Sequence, residues 1–301
     1  MALGSYITKF TNKLDKMIEV GTKTSDLNLN GDLLGDFNDA GEIKVPTMVM
    51  DGLANYGKST GFVAGGVSTD WETMKLRYDR GREFEIDIID DDDRAAIVSA
   101  NLMTEFERTK VIPEVDAVRF ATLAGNAGTT VAADLTTADA TYKAVATAEE
   151  KIEDLGVDLS TCILYCTSAV KRMLRENQKQ NYRLDQGQDP NGNFVTWDEM
   201  KIVTVPSARF QSKITLLDGT TEDQEAGGYQ AASDAVALNF MIVHPSAAAA
   251  IQRHKTLRYF APETNQKKEA HLWQFRLFHD LLVYTNKRGL IYAHTAAARA
   301  A

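Results

Sequence analysis

The residues that could do chemistry by type and spacing are few. Gly52-Leu53-Ala54-Asn55-Tyr56-Gly57-Lys58-Ser59 matches G-x-x-x-x-G-K-[ST], the loop that cradles phosphates with backbone N–H groups. Such a loop works when a helix starts at its lysine, because the first N–H groups and the helix dipole hold the anion. The chain continues here as Ser59-Thr60-Gly61-Phe62-Val63-Ala64-Gly65-Gly66-Val67, whose glycines and valines disfavour a helix. No parallel strand–helix–strand pattern surrounds it, so the stretch reads as the flexible base of a hairpin. Under the nucleotide-binding alternative, Lys58→Ala abolishes binding. Asp90, Asp91, Asp92 and Asp93 offer clustered oxygen ligands for a divalent cation. Consecutive residues at a helix start point in different directions, however, and the spacing is not that of a calcium loop. Helix capping, or ion pairs to a neighbouring subunit, is the reading they favour. His244, His254, His271, His279 and His294 show no H-x-x-x-H or H-E-x-x-H spacing. No G-x-S-x-G elbow is present. Cys162 and Cys166 lack redox spacing and lie in the apolar run CILYC, where two buried free thiols are expected. Trp71, Trp197 and Trp273 are scattered as anchors. No catalytic, cofactor-binding or metal site is expected, and no enzyme.

The elements around these residues are more informative. The chain has 301 residues, 44% of them hydrophobic, enough for one large domain or two smaller ones. Its formal charge of −9 argues against a dedicated nucleic-acid binder and does not exclude a protein that encloses nucleic acid without adhering to it. The first residues lack the pattern of a signal peptide, and no window has the length and apolarity of a membrane span.

Ile7, Phe10, Leu14, Met17 and Ile18 share a helical face, and a polar stretch rich in Asn, Asp and Gly comes next. Too polar to build a core, this region reads as an arm laid across another surface. IKVPTMVM is a short strand. Beyond the glycines, Met74, Leu76 and Tyr78 alternate with Lys75, Arg77 and Asp79. Asp79-Arg80-Gly81 supplies turn chemistry, and Phe84, Ile86 and Ile88 continue on a return strand, predicting a long charged hairpin. Next comes one long helix. Ala95, Val98, Leu102, Phe106 and Thr109 fall on its apolar face, opposite Glu105, Glu107, Arg108 and Lys110. Pro113 kinks it without ending it, since Val115, Val118 and Leu123 continue the face, giving a rod on the order of 45 Å.

A helix capped at Asp139 is expected to stop at Gly156. Two matching strand-to-helix units come after it. The first is STCILYC, the cap Thr167-Ser168 and AVKRMLREN; the second is ALNFMIV, His244-Pro245-Ser246 and the helix AAAAIQRH. MKIVTVP lies between them as a strand. The tail reads as the strand HLWQFRLFHDLLVYTN, a turn at Lys287-Arg288-Gly289 and the strand LIYAH.

This order, with the strings RGREFEIDIIDDDDRA, TEFERTKVIPEVDAVRFATLA, NFMIVHPSAAAAIQRHKTLRYF and FRLFHDLLVYTNKRGLIY, resembles the tailed-bacteriophage major capsid proteins with the Hong Kong 97 fold. The resemblance implies an α+β chain with an N-terminal arm (1–42) and a strand with an extended hairpin loop (43–89). A peripheral lobe with the spine helix (90–155 with 257–301) and a central α/β lobe (156–256) complete it. The extended loop would span Tyr56 to Ile88 and the spine Arg94 to Ala124. It further implies a subunit that self-assembles as hexamers and pentamers into an icosahedral head enclosing double-stranded DNA, found in the virion and assembled in the host bacterial cytoplasm. A portal at one vertex is implied. A separate scaffolding protein is expected as well, because little chain precedes Ile43. Lys75, Arg77, Arg80 and Arg82 are the candidate inter-subunit contacts, facing Asp90 to Asp93 of a neighbour. An encapsulin-like shell around cargo protein is the alternative of the same architecture.

Overall fold

The computed structural model describes residues 21–28, 42–59, 61–87, 97–180, 194–265 and 268–297. The chain divides into two compact units, Leu29–Arg77 and the remainder, Met1–Asn28 with Tyr78–Ala301.

In the first unit β1 (Glu42–Met50) pairs antiparallel with β2 (Val67–Lys75), from Glu42 opposite Lys75 to Met50 opposite Val67 without a register shift. Pro46 is tolerated because each strand of a two-stranded ribbon is an edge. Residues 51–66 join the strands, so the hairpin closes around the glycine-rich stretch. The expected turn at Asp79-Arg80-Gly81 is not there. The backbone instead runs straight through those residues as β3 (Tyr78–Asp87), with Gly81 opposite Arg276. A Cβ on Gly81 would lie 2.9 Å from the Phe275 carbonyl oxygen, so this glycine permits a close backbone approach and does not reverse the chain.

The second unit continues with α1 (Ile97–Phe106), a π-helical turn (Glu107–Val111) and α2 (Ile112–Gly125). Then come β4 (Thr129–Ala132), α3 (Ala138–Glu153), β5 (Ile163–Cys166) and α4 (Ser168–Gln180). β6 (Thr196–Trp197), β7 (Met200–Thr204), β8 (Ile214–Leu217) and β9 (Gly228–Ala231) lead to β10 (Leu238–Val243). β11 (Ala248–Phe260), β12 (Ala270–Val283) and β13 (Ile291–Thr295) complete it. A six-stranded sheet has the order β4-β13-β10-β5-β7-β6, a three-stranded sheet the order β11-β12-β3, and a two-stranded sheet joins β8 and β9.

The six-stranded sheet is covered on both faces, and the strands show it by alternation. Phe240 and Ile242 of β10 join Leu164 and Cys166 of β5 in one core, with Val145, Ala148 and Ile152 of α3 and Val170 and Leu174 of α4. Met241, Val243, Ile163 and Tyr165 point into the other, with Phe120 and Leu123 of α2 and Leu281 and Val283 of β12. Burial on both faces explains why β5 reads as a continuous apolar run. Cys162 and Cys166 are buried free thiols, as expected. β4 and β13 form one end of this sheet. β13 pairs with β10 and β4 with β13, each a partner distant in sequence.

The rod is present, but its irregularity precedes Pro113. Proline has no N–H for the carbonyl four residues back and its ring crowds that group, and the widened turn at Glu107–Val111 accommodates both. The wider turn also changes the phase of the helix. Glu107, expected on the polar face, is fully buried, and Thr109, expected on the apolar face, is exposed with Arg108 and Lys110. Met103, Val111, Ile112 and Val115 pack on Leu257, Phe275 and Leu277 of the three-stranded sheet, with Phe106 edge-on between Phe84 and Phe275.

The second strand-to-helix unit is also corrected. Pro245–Ala247 is a single 3-10 turn and the alanine-rich stretch after it is β11, not a helix. Ala248 to Ile251 pair with Val283 to Asp280 and are buried. Alanine's helical preference is worth under ~1 kcal/mol per residue, less than ladder pairing and burial together. α3 ends at Glu153, just before the expected stop at Gly156 with φ +76°, and its cap is Thr137, whose side chain accepts from the Ala140 N–H.

Candidate interaction surfaces

Clustered large apolar side chains in contact with water mark interaction surfaces, and among the described residues they concentrate at the end of the β1–β2 hairpin. Leu53 is fully exposed, Phe62 is 91% exposed, and Met50, Tyr56, Val63 and Val67 are also exposed. The local backbone is organised around them. The N–H and carbonyl of Gly57 bond those of Gly61, at 3.2 and 2.8 Å, and Gly61 holds φ +78°. Asp51 closes the base of the loop, its N–H donating to the Gly66 carbonyl and its Oδ2 accepting from the Gly66 N–H at 2.7 Å. The rings of Tyr56 and Phe62 lie 4.9 Å apart across the turn. The phosphate-loop match falls within this loop. The Gly57 N–H bonds the Gly61 carbonyl, no helix begins at Lys58, and the next strand is antiparallel. That geometry cannot cradle a phosphate.

The four basic candidates separate. Lys75 and Arg77 belong to the hairpin unit, Arg80 and Arg82 to the other. Arg80 is committed within the chain. Nε and Nη2 donate to the two Glu114 carboxylate oxygens at 2.7 and 3.3 Å, Nη1 donates to the Leu217 carbonyl and Nη2 also to that of Gly228. One guanidinium thus ties α2 to both strands of the β8–β9 hairpin. Arg82 Nη2 donates to the Glu225 carbonyl in the loop of that hairpin. Within the chain the charge of Arg80 is matched by Glu114. Asp90 to Asp93 lie outside the described residues. Arg80→Ala is expected to destabilise the subunit by about 2 kcal/mol, read by urea unfolding, because it strands a half-buried carboxylate and two carbonyls. An unchanged midpoint would show that the pair carries no weight.

A third assembly of polar groups escaped the sequence reading. Asp116 and Arg119 of α2 are both fully buried, and residues 21–28 cross them. The Lys23 N–H donates to both Asp116 oxygens at 3.0 and 3.1 Å, and Thr24 Oγ1 donates to Oδ1 at 3.1 Å. Arg119 Nη1 donates to Thr24 Oγ1 at 2.9 Å, and Arg209 Nη1 to Asp116 Oδ2 at 3.2 Å. Leu27 enters the core, Asn28 bridges to Ala250, and Asp26 pairs with Lys201 at 2.8 Å. Burial raises the Asp116 carboxyl, opposed by the Lys23 N–H, Arg119, Thr24 and Arg209 in that order. Burial brings the Arg119 guanidinium down to about 10. This part of the expected arm is a strap whose backbone and hydroxyl complete a buried ion cluster. Its signal in the sequence was an Asp and an Arg one turn apart, each flanked by apolar residues.

Among the described residues no group of His, Cys, Asp and Glu is arranged to hold a metal ion, and no helix is long and apolar enough to cross a membrane.

No protein-family model matches the sequence, and no curated protein matches it. Solved structures do match in fold. A chain of the capsid structure of the cyanophage P-SCSP1u superposes with a TM-score of 0.60 at 11% identity, covering 90% of this chain and 92% of that one. A chain from the asymmetric unit of the bacteriophage PhiM1 mature capsid gives 0.57 at 13% identity, with 86% and 83% covered. A chain of Gordonia phage Cozz gives 0.62 at 14% identity, with 94% and 87% covered. The likeness spans nearly the whole chain in each case, and it is a likeness of fold.

Proposed function

We propose that this chain, which shares the fold of those phage capsid chains, is a major capsid protein. Copies associate as hexamers and pentamers and close an icosahedral head around double-stranded DNA. The observation that carries this reading is the extent of the match, nearly end to end on chains from structures titled as capsids. The β1–β2 hairpin supports it. Two strands with no third partner among the described residues bury too little to be stable alone, and this ribbon ends in apolar side chains that face water. Both features are satisfied when the hairpin lies on another copy. On this reading the chain is a structural subunit, not an enzyme, and it works with a separate scaffolding protein and a portal at one vertex. The charge of −9 fits a wall that surrounds DNA without reading its sequence. The head is assembled in the host bacterial cytoplasm and becomes the virion shell. The phage origin of the matching structures favours DNA over packaged cargo protein as the content.

Negative-stain microscopy of the expressed chain, alone and with the products of neighbouring reading frames, tests this. Closed shells, tubes or capsomer rings are expected. A monodisperse monomer or dimer under every condition would overturn the proposal, and shells filled with a cargo protein would replace its DNA.

A further inference from the structure

α2 and β12 pack along matching stripes, and the middle of each stripe is polar. On α2 the stripe is Val115, Arg119 and Leu123, one helical turn apart; on β12 it is Leu277, His279 and Leu281, alternate residues of the strand. Val115 shares one core with Leu277, and Leu123 shares the next with Leu281. Arg119 and His279, the residues between, therefore face each other, at 0% and 1% exposure. Tyr165 of β5 borders the same place. Its ring lies edge-on to Phe120 at 5.2 Å, and it too is fully buried.

These side chains carry polar atoms that bond nothing. Arg119 donates through Nη1 to Thr24 Oγ1, whereas its Nε and Nη2 are sealed from solvent and have no hydrogen-bond partner among the described residues. Nε and Nη2 form the fork edge of the guanidinium, whose parallel N–H groups grip anions. The Tyr165 hydroxyl and His279 Nδ1 are sealed and unpartnered as well. Burial, then the charges of Arg119 and Arg80, push the His279 imidazole down to about 3, so the ring is neutral and Nδ1 can carry its proton. Asp116 does not fill the edge. Its carboxylate is taken by the Lys23 N–H, Thr24 and Arg209, and it reaches Arg119 through the Thr24 hydroxyl. Bare donors on a buried cation are costly, and the cost falls when an anion meets them.

We propose that the Arg119 fork edge, the Tyr165 hydroxyl and His279 Nδ1 form a closed seat for one small monovalent anion, such as chloride. Each of these groups can donate a hydrogen bond, and the edge carries a charge that a neutral water would leave unmatched. The seal admits nothing the size of a sugar acid. Thr24 of the strap is the lid. Its hydroxyl holds Arg119 Nη1 at 2.9 Å, so a filled seat fixes the guanidinium where Thr24 needs it, and the anion enters and leaves as the strap lifts. Anion binding and strap docking reinforce each other.

Thermal unfolding of the free subunit at fixed ionic strength, in sodium chloride, bromide or gluconate, tests the seat without requiring assembly. The midpoint and the resistance of Lys23 to trypsin are expected to rise with either halide and not with gluconate. Tyr165→Phe keeps the ring in its core. It is expected to raise the halide concentration at which the rise begins about tenfold, the weight of one hydrogen bond to a charged group. In crystals grown with bromide, an anomalous peak is expected against Arg119 Nε and Nη2. Equal midpoints in halide and gluconate, a halide response unchanged in Tyr165→Phe, or water in place of the peak would each overturn the proposal. Should Tyr165→Phe fail to fold, the bromide peak decides alone.

Discussion

Leu53→Asp combined with Phe62→Asp is expected to leave a folded subunit that forms no shells. Both side chains face water in the isolated chain, Leu53 completely and Phe62 at 91%, so the substitutions remove no core contact. The Gly57–Gly61 backbone pair and the Asp51 closure of the loop are main-chain and carboxylate bonds that neither change touches. Stability of the free subunit should therefore stay within about 0.5 kcal/mol, as for most exposed positions. Assembly is different. Burying one large apolar side chain against a neighbour contributes ~1.5–3 kcal/mol, and replacing it with a carboxylate adds the cost of desolvating a charge. The loss is repeated at every subunit of a closed shell. Thermal unfolding and negative-stain microscopy on one preparation separate the two effects. Normal shells from the double variant would show that the apolar end of the hairpin takes no part in assembly.

Asp116→Ala is expected to give the largest loss of fold stability, about 3–5 kcal/mol. The carboxylate accepts from the Lys23 N–H, Thr24 and Arg209, and Arg119 is buried one turn away on the same helix. Its removal leaves two guanidinium groups with no buried anion and a strap with nothing to bind. The strap should loosen before the rest of the fold, because its backbone bonds to α2 run through Asp116 alone among those described. Two measurements check this: the urea midpoint, and tryptic cleavage at Lys23, which should be slow in the wild type and fast in the variant. Asp116→Asn keeps an acceptor for the Lys23 N–H but not the charge, and should fall between them. An Asp116→Ala protein as stable as the wild type would mean that the arginines find other counter-ions or water.

Periodicity revealed much of this fold because burial on one face leaves a local trace. The spine followed from apolar residues at helical spacing, β5 from a run buried on both faces, and α3 from a stretch ended by a glycine with positive φ. The order of these elements was enough for the resemblance to phage capsid proteins, whose fold the structure shares although the identities are 11–14%. The basic candidates were found as charges, but their partners were not legible. Arg80 meets Glu114 of α2 and two carbonyls on the β8–β9 hairpin, groups 34 to 148 positions away. Leu53 and Phe62 were read as part of a glycine-rich hairpin base, because a local pattern says nothing of a side chain's exposure in a loop.

The sequence by itself determined the class of most elements and their order, since each depends on residues within a turn or two. Tertiary structure decided where the hairpin closes, that an alanine-rich segment is a strand, that Glu107 is buried and that the strap completes a buried ion cluster. Each of those outcomes depends on a partner far along the chain. β3 is aligned by β12, nearly two hundred positions away, and β11 is held extended by the same strand. Local preferences amount to fractions of a kcal/mol per residue, while pairing and burial against a distant strand amount to several over its length. Where the two conflict, the distant partner wins.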